Sequence, residues 1–257
     1  MFYQTDDFLQ GFIDVMKLCN SKILEIYHSP STKVYYKNDQ SPLTLADQTA
    51  NKIICDYLQE LNSSTGLNIG IISEENKNES YQIRSQYKYV WLVDPLDGTK
   101  EFVKKNGQFT VNIGLCHQGI PVFGIVSIPV TGEIYYGILG IGSFKLPHQK
   151  LQVLPKNLEK SGLKIVTSAS HLNSDTREYL QQFSKPEIVH TGSSIKLLWI
   201  AEGKADLYPR LAPTSEWDTC AAHAVVKYAG GTVLQYNTNI ELKYNKENLL
   251  NPYFIVY

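Results

Sequence analysis

The chain has no excess of either charge: 24 lysines and arginines stand against 25 aspartates and glutamates in 257 residues. With no whole-molecule field it is not built to gather nucleic acid or an anionic membrane, so charged chemistry has to be local. Cysteine is scarce. Cys19, Cys55, Cys116 and Cys220 form neither a CxxC pair nor a Cys/His cluster, which argues against zinc and a disulfide framework and predicts reduced thiols. No run approaches the roughly 18 apolar residues of a membrane span, and the opening MFYQTDD has no basic segment leading into an apolar one. A soluble, cytoplasmic protein is expected. Internal repeats and low-complexity tracts are also missing. What is present is 43% apolar residue content, enough for one large core or two modest ones.

Apolar residues from Phe8 to Tyr27 recur at three and four, which predicts an amphipathic helix over about 5–27, ended by Pro30. A second helix is expected from near Thr44, with Ala46, Ala50, Ile54, Leu58 and Leu61 on one face, and YYKNDQSP between the two reads as a loop. The period then changes. NIGIIS, KYVWLV, FTVNIGLC, PVFGIVSI and EIYYGIL are short β-rich runs split by Gly, Pro and Asn, as in a largely antiparallel sheet. After about residue 155 strands and helices alternate, the last helix being SEWDTCAAHAVVKYAGG and the last strand TVLQY. The reading is an α+β domain over 1–155 and an α/β domain over 156–257, parted in the Pro- and Lys-rich LPHQKLQVLPKNLEKSG.

Three segment ends carry conspicuous acids: Glu74 and Glu75 in GIISEEN, Asp94 and Asp97 in WLVDPLDGTKEF, and Glu216 and Asp218 in EWDTCAAHA. Each fits an ordinary role taken singly. Glu74 and Glu75 suit a solvated loop, Asp218 a helix N-terminus, Asp47 a capping box with Thr44, and Asp94 and Asp97 a turn. The DPLDGT stretch offers more, because a tight Pro–Gly bend can aim two carboxylates and the Leu96 carbonyl the same way. Mg²⁺ takes such an oxygen shell and keeps positions open for substrate phosphate, which the N–H groups and hydroxyl of Gly98 and Thr99 suit. An EF-hand is excluded, since the twelfth residue counted from Asp94 is Lys105 rather than Glu. Haloacid-dehalogenase-type phosphatases carry D-x-D-G-T, one residue shorter than the D-x-x-D-G-T here, and remain a distant alternative.

DPLDGTKEF, with SEE upstream and WDTCAAHA downstream, resembles the lithium-sensitive, magnesium-dependent phosphatase superfamily of inositol monophosphatase and fructose bisphosphatase. The Lys100-Glu101-Phe102 tail is most similar to its 3′(2′),5′-bisphosphate nucleotidase branch. SPLTLAD, NGQFTVNIGL and GSSIKLLWIAEGKADLYPR extend the likeness over nearly the whole chain. The resemblance implies a layered αβαβα sugar-phosphatase fold and hydrolysis of adenosine 3′,5′-bisphosphate to AMP with two or three Mg²⁺ ions. Glu74, Asp94, the Leu96 carbonyl, Asp97 and Asp218 would be the metal shell, and Asp47 with Thr99 the pair that orients and deprotonates water. The phosphate would lie over Leu96, Asp97, Gly98 and Thr99, against Glu74 and Asp218. His171, Ser193, Lys196 and Arg210 match positions that contact nucleotide in related enzymes.

The likeness has gaps. SASH (168–171) replaces the SRSH usual in the bacterial branch, so Ala169 lacks an Arg that would help with an anionic substrate. Cys220 and Ala222 stand where that branch commonly has Ala and Gly. These bear on substrate range rather than on metal ligands. The rivals are an inositol monophosphatase or other small sugar-phosphate phosphatase with the same metal chemistry, and a catalytically silent metal- or nucleotide-binding module. Related bacterial enzymes are sometimes peripheral at the inner membrane's cytoplasmic face, but no amphipathic basic segment here suggests it. Protein partners and oligomeric state leave no mark in the sequence.

Overall fold

The computed structural model describes residues 1–29, 34–36, 42–155, 157–159, 161–168 and 173–257. Helix α1 (Asp6–Tyr27) starts where Thr5 Oγ1 accepts the Phe8 N–H, with Asp6 and Asp7 favourably placed in the first turn. It buries Phe8, Phe12, Val15, Met16, Cys19 and Ile23, the stripe that the spacing predicts. Strands β1 (Val34–Tyr36) and β2 (Pro42–Thr44) pair antiparallel, Val34 opposite Thr44. The expected loop YYKNDQSP is therefore strand at both ends, while its residues 37–41 lie outside the described residues. Ladders of three residues are too short to show a period. Helix α2 (Leu45–Thr65) follows, capped by Thr44 and burying Ala46, Ala50, Ile54 and Leu58 four apart.

The main sheet begins with β3 (Ile69–Ser73) and, past the short helix α3 (Tyr81–Arg84), β4 (Tyr89–Asp97). Helix α4 (Thr99–Val103) leads into β5 (Thr110–His117), β6 (Ile120–Ile128), β7 (Glu133–Ile138), β8 (Gly142–Lys145) and β9 (Gln149–Leu151). These seven strands lie in sequence order, and only β3 and β4 run parallel. β9 uses QKL from the stretch read as a boundary. The chain continues through β10 (Lys164–Ser168), α5 (Ser174–Leu180), β11 (Glu187–Thr191), α6 (Ile195–Ala201), β12 (Tyr208–Arg210), α7 (Cys220–Tyr228), β13 (Val233–Gln235) and β14 (Phe254–Val256). β10 and β11 are parallel, and β12, β14 and β13 form an antiparallel sheet in that order. The layered mixture of helices on a mostly antiparallel sheet is as expected. Helix α7 starts later than Ser215, because residues 215–219 close turns of their own, among them Asp218 N–H to the Ser215 carbonyl. No described helix is long and apolar enough to cross a membrane.

Strand alternation divides the core. Trp91, Val93 and Phe123 share a cluster with Phe12 of α1 and Ile54 of α2, while Val90 and Leu92 join residues of α6 and α7. Helix α7 can approach the sheet because Gly114, Gly124 and Gly137 are register partners on three adjacent strands. A Cβ on Gly124 would stand 2.2 Å from the Ala221 carbonyl oxygen, far inside contact distance. Gly124→Ala is therefore expected to cost about 3 kcal/mol, the upper range for overpacking. A thermal melt should show a Tm lower by roughly 6–12 °C. An unchanged Tm would mean that α7 rides higher on the sheet than described.

Candidate active site

The site is built on an irregularity in β4. Asp94 pairs with Asn112 and Asp97 with Thr110, so two residues on β4 bulge opposite one on β5. In a regular strand, positions three apart face opposite ways; the bulge restores Asp94 and Asp97 to one side. The Asp94 carboxylate accepts the Leu96 N–H at 3.1 Å, which folds the bend onto itself. Gly98 then takes φ +95°, a conformation costly for other residues, and a Cβ there would meet the Gln108 carbonyl at 3.0 Å.

Glu74 leaves β3 beside β4, its N–H donating to the Val93 carbonyl at 3.1 Å. Asp218 arrives in the turn ahead of α7, where its Oδ2 accepts the Ser215 N–H at 2.9 Å. Carboxylate oxygens of Glu74, Asp94 and Asp218 lie within 4.8 Å of one another. Asp97 joins this group electrostatically, and its Oδ2 accepts from Ser193 Oγ at 2.7 Å and from the Ser194 N–H at 2.6 Å. Burial, then the charges of Glu74, Asp97 and Asp218, push the Asp94 carboxyl well above its ordinary range. Asp218 is raised likewise by burial and then by Asp97 and Glu74, and Asp97 by burial against the opposing charge of Lys196.

Asp47 closes the capping box suggested by its spacing from Thr44: Oδ2 accepts Thr44 N–H at 2.8 Å and Thr44 Oγ1 at 2.6 Å. Its other oxygen accepts Thr99 Oγ1 at 3.0 Å, while Thr99 Oγ1 also lies 3.3 Å from the Leu96 carbonyl. Burial raises the Asp47 carboxyl, with the Thr44 and Thr99 bonds opposing.

One cleft is lined by Glu74, Asp97, Gly98, Thr99, Ser193, Lys196, Arg210 and Asp218, so the structure brings these expected positions together. Asp94 is buried against them, and Asp47 reaches them through Thr99. His171 and Ala169 lie outside the described residues. Lys196 is buried, donates to the Ser193 carbonyl at 2.6 Å, and has its ammonium pushed down to about 8 by desolvation. Arg210 donates to the Pro213 carbonyl at 2.8 Å. Tyr208, Ser194 and Phe254 also line the cleft, although in the sequence they carry no functional signal: Tyr208 reads as strand, Ser194 as a helix start, and Phe254 falls in no expected element. Glu216, for all its closeness to Asp218, is a fully buried clamp. It accepts the N–H groups of Asn245 and Lys246 and the Lys246 ammonium, tying the turn to the C-terminal loop.

A helix-flanked, mostly antiparallel sheet that gathers the carboxylates of Glu74, Asp94 and Asp218, with Asp97 beside them, at a cleft suits a class of proteins that hold hard cations beside a small molecule. The model of the inositol monophosphatase family matches residues 5–253, and the chain belongs to that family. It is 39% identical over 249 residues to the 3′(2′),5′-bisphosphate nucleotidase CysQ of Salmonella typhimurium, covering 96% of this chain and 98% of that one. The crystal structure of CysQ from Bacteroides thetaiotaomicron, at 38% identity, superposes with a TM-score of 0.86 over 100% of this chain and 98% of its own. An IMPase from Thermotoga maritima, at 21% identity, shares the fold with a TM-score of 0.79 over 97% of this chain and 91% of its own. The family fold implies a divalent metal. The donor set here fits one: all its atoms are oxygen, and mutual repulsion in a buried setting favours a shared cation.

Proposed function

We propose that this chain is a 3′(2′),5′-bisphosphate nucleotidase that releases the 3′-phosphate of adenosine 3′,5′-bisphosphate, and of its sulfated form, to leave the 5′-nucleotide. The observation that carries this reading is the likeness, over nearly its full length, to a relative of that name, joined to a cleft that continues from the carboxylates to Lys196 and Arg210. Two cationic side chains beyond the acidic cluster suit a substrate with a second anionic group. The setting is the cytoplasm, with which four free, buried cysteines accord.

Glu74, Asp94, the Leu96 carbonyl, Asp97 and Asp218 hold two or three Mg²⁺ ions in this reading. Such ions, when bound, acidify water, polarise the phosphoryl group and neutralise charge on the leaving oxygen. The chain's own contribution to proton transfer is the Asp47–Thr99 pair. Thr99 already donates its proton to Asp47 Oδ1, which leaves its oxygen free to accept one from a water molecule. Passing that proton on leaves Thr99 neutral and Asp47 protonated. An acid raised by burial is the better base for this work near neutral pH. In-line attack at phosphorus then expels the ribose oxygen with no phosphoenzyme; the leaving oxygen takes up a proton from solvent and Asp47 returns its own to solvent. The loop over Leu96 to Thr99 receives the phosphate, and Ser193, Lys196, Arg210 and His171 are the nucleotide contacts.

Comparing kcat/KM for adenosine 3′,5′-bisphosphate and inositol 1-phosphate, each with saturating Mg²⁺, tests the reading. A preference for the nucleotide of about 100-fold or more is expected, equivalent to roughly 2.7 kcal/mol of differential transition-state binding. A preference for the inositol phosphate would make this an inositol monophosphatase, and tight nucleotide binding with no phosphate release a silent binding module.

A further inference from the structure

Asp97 is one end of a buried polar chain that runs through Thr110 and Asn112, which read in the sequence as ordinary strand residues. Asn112 Nδ2 donates to Thr110 Oγ1 at 3.0 Å, and Thr110 Oγ1 is hydrogen-bonded to Ser193 Oγ and lies 2.8 Å from Ser194 Oγ. Ser194 Oγ donates to Asn112 Oδ1 at 2.8 Å. Ser193 Oγ and the Ser194 N–H both end on Asp97 Oδ2. Thr110 and Asn112 are fully buried, and Ser194 is 2% exposed.

Counting protons gives the chain a direction. Ser193 spends its hydroxyl proton on Asp97 and Ser194 spends its own on Asn112. The single Thr110 proton therefore serves one serine at a time, and donation runs from Asn112 through Thr110 and Ser193 to the carboxylate. Both ends of the chain lie at the bulge, and its middle, Ser193, lies on the cleft wall. Thr110 and Asn112 are the residues opposite Asp97 and Asp94 across the bulge. Ser193 sits at φ +55°, an uncommon conformation for a residue with a side chain, and Lys196 grips its carbonyl.

We infer that Thr110 and Asn112 are positioning residues: they fix the Ser193–Ser194 turn, which in turn fixes the Asp97 carboxylate and couples the metal-holding bulge to the cleft wall bearing Lys196. The inference rests on the reading of Asp97 as part of the metal shell. Thr110→Val keeps the shape and removes the hydroxyl on which the chain depends, while Thr110→Ser restores it. Ser194→Ala keeps its N–H on Asp97 and removes the hydroxyl by which Asn112 holds the turn, leaving the Thr110–Ser193 path in place.

The test is Mn²⁺ uptake, read by electron paramagnetic resonance without substrate, alongside kcat and KM at saturating metal. Thr110→Val should bind Mn²⁺ about 10-fold more weakly and lose a similar factor in kcat, and Ser194→Ala about 3-fold, on the scale of one or two hydrogen bonds. Thr110→Ser should return to within about 3-fold of the parent. Ser127→Ala is the control for stability alone, since it deletes the buried Ser127 Oγ bond to Asn20 Oδ1, which none of the cleft residues shares. Its metal affinity should not change. Wild-type Mn²⁺ affinity in Thr110→Val would overturn the inference, as would a loss no greater than that of Ser127→Ala. If Thr110→Val does not fold, undiminished affinity in Ser194→Ala overturns it. A parent protein that takes up no Mn²⁺ would instead remove the metal reading underneath, and the inference with it.

Discussion

Asp94→Asn is expected to abolish turnover and, in the same protein, to raise the melting temperature measured in EDTA. Asp94 is 1% exposed and sits among Glu74, Asp97 and Asp218, so without a cation its charge is repelled and poorly solvated. Asparagine has the same shape, and its amide oxygen can still accept the Leu96 N–H. The substitution removes a repulsion while sparing the fold, a gain of about 1–3 kcal/mol and roughly 2–12 °C for the metal-free protein. With Mg²⁺ present the order should reverse, because the parent gains a bound ion and the variant binds it poorly. The loss in kcat/KM should be at least about 10³-fold, or roughly 4 kcal/mol. The sign in pH follows from the same shift. An acid whose pKa is higher folded than unfolded binds more protons in the native state, so metal-free stability falls as pH rises above the unfolded value. Melts in EDTA between pH 5 and 8 should show this decline, less steeply in Asp94→Asn. Near-normal activity in the variant would refute the role given to Asp94.

Asp47→Asn and Thr99→Val should leave metal binding largely intact and reduce kcat by about 10²- to 10⁴-fold, with KM changed only a few-fold. Asp47 accepts three hydrogen bonds, two from Thr44 and one from Thr99. An asparagine there turns an NH₂ toward at least one donor, which adds a stability cost of about 1–3 kcal/mol. Thr99→Ser separates the hydroxyl from the fold and should keep most of the activity. Steady-state kinetics at saturating Mg²⁺ decide the matter; a rise in KM at constant kcat would make the pair a substrate contact and not a proton path.

Residues whose chemistry is local are legible in the sequence itself. DPLDGT shows two acids on a forced bend, and the β-bulge is the physical form of that bend. Thr44 and Asp47 show a capping box by spacing alone, but not that the second oxygen of Asp47 is free for Thr99, 52 residues on. What depends on register is hidden. Thr110 and Asn112 occupy alternate places in FTVNIGLC, where they look like strand polars, and only the fold sets them opposite the bulge with Ser194 as a common partner. The glycines under α7 are also ordinary letters until three strands align them. Glu216 and Asp218 are two acids in one short motif. The turn over 215–219 sends one toward the C-terminal loop and the other into the cleft, and no count of residues distinguishes them. Strands β8, β9 and β14 are three or four residues long, too brief for any period to show.

The most direct measurement is anomalous diffraction from crystals of the wild-type protein grown with Mn²⁺. The account predicts peaks within about 2.5 Å of carboxylate oxygens from Glu74, Asp94 and Asp218, with at least one ion shared between chain segments. Manganese bound elsewhere, with those three side chains unshared by any ion, would contradict it.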